Sequence, residues 1–126
     1  MKIPYLCLLI VALQPYLWTV LAKRGQRGQR FDNHVPRQVL AGLTGWPQRA
    51  NWAQQNAWEA LPVFGFAVLM AMQAQVPADI VNTWSVVFVV ARFVYGACYI
   101  GNWATVRSLV WSIGMFAALR LMVAAI

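Results

Sequence analysis

Four apolar blocks dominate the chain, each close to the length that a membrane helix needs. Residues 3–22 read IPYLCLLIVALQPYLWTVLA, with Gln14-Pro15 as the expected point of a kink. The second block, about 50–73, begins with the polar run NWAQQNAWEALP and continues as VFGFAVLMAMQ. The third and fourth occupy about 80–101 and 105–126. Roughly 20 residues cross the hydrocarbon of a bilayer. The pattern therefore predicts an all-α integral membrane protein with four spanning helices in one domain, residues 1–126. The turns around Gln75–Asp79 and Asn102–Thr105 are short, so the last three helices should pack antiparallel to their neighbours.

Composition agrees with the pattern. The chain is 61% hydrophobic and only 10% charged, with a mean hydropathy of +0.57. A water-soluble domain of this size could not bury so much apolar surface in a single core. The net charge of +7 comes from ten Lys and Arg against three acids. Those bases lie mainly between the apolar blocks, which indicates membrane topology rather than nucleic acid as a partner. The long connection, residues 23–49, holds Lys23, Arg24, Arg27, Arg30, Arg37 and Arg49, and Arg107 falls on the same side. The opposite turn carries only Asp79. By the positive-inside rule the connection and Arg107 face the cytoplasm and both termini lie outside.

Smaller features refine this. The stretch KRGQRGQR reads as flexible, either touching anionic lipid headgroups or serving as a plain topology signal. The first block also resembles a cleavable leader, but cleavage would carry four bases across the membrane directly behind it, so a retained span is expected. Cys7 and Cys98 sit in apolar runs without metal-ligand spacing and read as small buried hydrophobes. His34 stands alone in a polar loop, and Arg120 is expected to snorkel to the interface.

The chemistry concentrates on the second and third helices. Counted from the cytoplasmic side, Glu59 and Arg92 each lie about nine residues in, or roughly 13 Å, on antiparallel neighbours. Asn56 and Tyr95 match in the same way. Trp52, Gln55, Asn56, Glu59 and Val63 share one helix face, and Arg92, Tyr95 and Tyr99 share another. An unpaired charge at a helix centre costs about 2.5–3.5 kcal/mol, so such residues turn inward and find partners. Two readings follow. The stripes are glue between helices, or they line a cleft open to the cytoplasm. Arg107 favours the second, because the three acids, Asp32, Glu59 and Asp79, leave it without an obvious partner. A spare guanidinium above a polar cleft suits an anionic ligand.

Asn56-x-x-Glu59-x-x-Pro62 after a basic loop resembles the second-helix signature of the MAPEG family, the membrane-associated proteins of eicosanoid and glutathione metabolism. Arg92-x-x-Tyr95-x-x-x-Tyr99, followed by a short turn and Arg107, is similar to their third helix and the start of their fourth. FDNHVPR and LTGWPQRA resemble the first loop of bacterial members. This resemblance implies a four-helix bundle assembled as a homotrimer, with glutathione bound between subunits and its thiolate used on lipophilic substrates. It implies that Asn56, Glu59, Arg92, Tyr95 and Tyr99 frame glutathione and that Arg107 holds the thiolate. The expected activity is a glutathione-dependent transferase or peroxidase. The alternative is a non-catalytic protein of the same fold that binds another anion or a lipid. One position differs: many eukaryotic members carry an arginine one turn before the asparagine, where this chain has Trp52. A small multidrug transporter would resemble its own family in having a glutamate in the first helix, and the first block here has no acid.

Overall fold

A computed structural model describes residues 2–26 and 30–126. Among them every regular element is helical: α1 (Lys2–Gly25), α2 (Pro36–Ala41), α3 (Gly45–Gln73), α4 (Ala78–Ile100) and α5 (Ala104–Ala124). The four long helices coincide with the four apolar blocks. α3 starts at Gly45 rather than near residue 50, so the polar run lies wholly inside a helix. Lys23 and Arg24 extend α1, while Arg27 to Gln29 of the expected flexible stretch lie outside the described residues.

By length and composition α1, α4 and α5 are apolar enough to cross a membrane, and among the described residues they are the three helices that meet that test. α3 does not meet it, although it is 29 residues long. Its first half carries Asn51, Gln54, Gln55, Asn56 and Glu59, of which Asn51 is buried, Gln54 and Asn56 are half-buried and Gln55 and Glu59 are exposed, a polar face unsuited to contact with lipid. On the outer surfaces the rule reverses: Leu9, Leu13, Val90, Leu109 and Phe116 are each more than half exposed. Such a surface suits hydrocarbon and not water.

The helices pack through small residues and stacked rings. Ala50, Ala53, Ala57, Ala67 and Ala71 are all buried along α3, which lets its neighbours approach closely. Phe64 stacks on Phe88 with centroids 4.2 Å apart, and Trp52 meets Tyr99 at 6.1 Å. Positions ascending α3 thus meet positions descending α4, the antiparallel arrangement expected. Tyr16 against Trp58 and Leu8 beside Gly65 give the same relation between α1 and α3, and Trp84 against Phe116 joins α4 to α5.

Both tight turns are built alike. Gln75 and Asn102 adopt left-handed backbone conformations, with φ of 55° and 61°. After α3, the amides of Gln75 and Val76 donate to the carbonyls of Met72 and Ala71; after α4, those of Asn102 and Trp103 donate to Tyr99 and Cys98. These paired bonds satisfy carbonyls that a helix end leaves free and reverse the chain within a few residues. The long connection is held as well. Its short α2 begins at Pro36, where the missing amide is no loss, and Leu40 and Leu43 pack with Ala22 and Ala50.

α1 meets α4 where the Trp18 ring lies on Gly96. A Cβ at Gly96 would overlap that ring. Gly96→Ala should therefore destabilise the fold by about 1–3 kcal/mol through overpacking. Gly65→Ala, whose new Cβ meets nothing nearer than Leu8 at 3.9 Å, should be neutral or stabilising. Thermal unfolding in detergent compares the two.

Candidate functional site

The helical period of α3 brings Trp52, Gln55, Asn56 and Glu59 to one face, and that of α4 brings Tyr95 and Tyr99 opposite. Together these six residues line an open cleft of about 310 Å³. Arg92 stands in the wall behind it, only 3% exposed.

A chain of hydrogen bonds holds that wall. Arg92 Nη1 donates to Asn56 Oδ1 at 2.8 Å, and Asn56 Nδ2 donates to Glu59 Oε2 at 3.1 Å. Glu59 and Arg92 therefore lie in one network, as their depth predicted, but Asn56 stands between them. An amide both accepts and donates, so it can satisfy the guanidinium and the carboxylate at once. Glu59 stays exposed at the cleft while Arg92 is sealed inside. The Nε and Nη2 atoms of Arg92 are buried without a hydrogen-bond partner.

Two cations rest on two adjacent rings. Arg92 Cζ lies 4.4 Å from the Tyr95 centroid, and Arg107 Cζ lies 4.3 Å from that of Tyr99. The two rings meet edge to face at 5.6 Å. Arg107 comes from the first turn of α5, is half-buried, and reaches the cleft through Tyr99 rather than lining it. Facing guanidinium to π-cloud orders a long side chain and leaves its edge free for an anion. All six residues singled out in the sequence, Asn56, Glu59, Arg92, Tyr95, Tyr99 and Arg107, converge on this one place.

Other polar residues have different duties. Asn51 is buried and its Nδ2 donates to the Leu40 carbonyl at 3.5 Å, tying the long connection to α3. Arg49 Nε donates to the Ile100 carbonyl at 3.0 Å and so caps the end of α4, where the helix dipole favours a cation. Val63, expected on the polar face, lines a separate small apolar cavity with Ala60, Phe88 and the inner side of Arg92. The cleft ends at Glu59. The His34 amide donates to the Asp32 carboxylate at 2.9 Å in a local turn. Cys7 and Cys98 are free and buried, as their apolar surroundings suggested. Sequence reasoning missed Gln14. It is 2% exposed in α1, and its only signal was an amide in an otherwise apolar block.

Asn56→Leu should remove the hydrogen bonds to both charges and cost about 1.5–3 kcal/mol, whereas Gln55→Leu, exposed beside it, should change stability little. Thermal unfolding separates the two. The sequence model of the MAPEG family matches residues 3–126. No curated protein and no solved structure matches the chain significantly. With its membrane-length helices and this match over essentially the whole chain, the protein belongs to the MAPEG family, membrane proteins of eicosanoid and glutathione metabolism.

Proposed function

We propose that the protein is a membrane-bound, glutathione-dependent transferase or peroxidase acting on lipophilic electrophiles. The observation that carries this reading is the pair of guanidiniums, Arg92 and Arg107, stacked on the Tyr95 and Tyr99 rings of one polar cleft. Glutathione carries two carboxylates, an ammonium and a thiol. The cleft offers the Arg107 guanidinium at its rim for the acidic groups, the Glu59 carboxylate for the ammonium and the Gln55 and Asn56 amides for the peptide groups. Arg92 is sealed behind the cleft and acts through Asn56, to which its Nη1 donates, so the guanidinium nearest a ligand is that of Arg107 at the rim. The residues present thus fit the co-substrate chemically.

Bound glutathione supplies the nucleophile. A thiol with a pKa near 8.5 is only a few per cent ionised at neutral pH, and a nearby cation lowers that pKa. In this reading Arg107 is the cation, held in place by Tyr99. Asn56, Glu59, Arg92, Tyr95 and Tyr99 bind and orient the tripeptide, and the electrophile arrives from the lipid side. The four long helices form a membrane-spanning bundle in a bacterial inner membrane, with the basic connection in the cytoplasm. Three copies assemble; α5, with most of its surface uncovered, leaves room for partners and lipid.

One observation favours a second reading, a non-catalytic member that binds another anion or a lipid. Trp52 occupies the cleft wall where many eukaryotic relatives carry an arginine, and Arg49, one turn further back, has its Nε committed to the Ile100 carbonyl. Calorimetric titration with glutathione decides between the two. Saturable heat and conjugation of a chlorinated aromatic substrate are expected of the enzyme, and neither of the scaffold. In an active enzyme, Arg107→Ala should lower kcat/KM at neutral pH by roughly tenfold or more, since a one-unit rise in thiol pKa corresponds to about 1.4 kcal/mol. Losing the cation raises that pKa, so the pH–rate profile should move to higher pH. Arg107→Lys, which keeps the charge, should fall between.

A further inference from the structure

A buried polar side chain with no part in the cleft lies inside α1. Its buried stripe runs Cys7, Val11, Gln14, Trp18 and Ala22. Cys7 and Val11 belong to one apolar cluster, with Phe64, Val68, Phe88 and Val89. Trp18 belongs to another, with Ala53 and Ala57. Gln14 sits between the two, and neither of its amide atoms has a hydrogen-bond partner.

Arg92 occupies the corresponding gap on α4, between Val89 of the first cluster and Tyr99 beside the second. The helix directions place the two residues at one level. Tyr16 meets Trp58 and Leu8 lies beside Gly65, so α1, like α4, runs antiparallel to α3, and α1 and α4 run parallel to one another. Trp18 lies on Gly96 and beside Phe93. One turn back from Trp18 is Gln14, and one turn back from Gly96 is Arg92. The free atoms are complementary: Gln14 Oε1 needs a donor, and Arg92 Nε and Nη2 need acceptors. Polar groups at this depth rarely stay unpaired.

We infer that Gln14 is a positioning residue for Arg92, its carbonyl oxygen accepting from Nε or Nη2 across one bridging water. The guanidinium is then held from two helices, by Asn56 on α3 and Gln14 on α1. The Arg92–Asn56–Glu59 wall of the cleft depends in turn on a residue that does not line it. Contact between Gln14 and Arg92 stands independently of what the cleft binds; its consequence for glutathione rests on the proposed function.

The test is a double-mutant cycle read by thermal unfolding in detergent, with the parent protein, Gln14→Leu, Arg92→Leu and the double variant. Coupled residues give non-additive shifts, the double variant unfolding little below Arg92→Leu alone. Additive shifts overturn the contact. If Arg92→Leu does not fold, Gln14→Glu decides: a carboxylate facing the guanidinium should unfold above Gln14→Leu, and equal or lower stability overturns the contact. Glutathione affinity by calorimetry is the second readout. Gln14→Leu should weaken it about two- to tenfold, the range of one lost hydrogen bond, and Gln14→Glu should restore it. Unchanged affinity in Gln14→Leu, or no recovery in Gln14→Glu, overturns the positioning role even where the cycle is coupled. A parent protein that gives no saturable heat overturns the proposed function instead and leaves the unfolding cycle to judge the contact.

Discussion

The buried guanidinium of Arg92 is the constraint around which the rest is arranged. A charge that is 3% exposed among apolar helices is tolerable only with hydrogen-bond partners and a polarisable surface beside it. Asn56 supplies the first and the Tyr95 ring the second. Asn56 can reach only if the first half of α3 faces α4 at that level. That requirement accounts for a membrane-length helix whose first half is too polar to stand alone in lipid.

The remaining architecture makes that apposition possible. Alanines along α3 bring three helices close, Gly96 makes room for the Trp18 ring, and two left-handed turn residues reverse the chain at the ends of α3 and α4. The same polar run serves three purposes: Asn51 anchors the long connection, Asn56 bridges two charges, and Trp52, Gln55 and Glu59 are left facing the cleft. Glue between helices and a ligand-facing wall are therefore not rival descriptions here. The amide that holds the helices together also sets the position of the exposed carboxylate.

Much of the fold was legible beforehand because the relevant signals are local. Block length and hydropathy located the four long helices to within a few residues, and the spacing of Asn56, Glu59, Arg92, Tyr95, Tyr99 and Arg107 predicted their meeting. Less visible was α2, since a single turn of helix after Pro36 depends on Leu40 and Leu43 finding Ala22 and Ala50 from distant parts of the chain. Val63 was assigned to the polar face on periodicity alone, and periodicity cannot say where along a face one cavity stops and another begins.

Taken alone, the amino-acid order determined the helices, their alternating directions and the level of each polar side chain, because hydropathy and the helical repeat act over a few neighbouring residues. Tertiary structure decided which atoms touch. Register fixes height only to about a turn, whereas a hydrogen bond selects partners within a few tenths of an ångström. Side-chain reach and packing therefore determined that Arg92 meets Asn56 rather than Glu59, that Arg49 caps Ile100, that Arg107 lies over Tyr99, and that Gln14 is buried where an apolar residue would be expected.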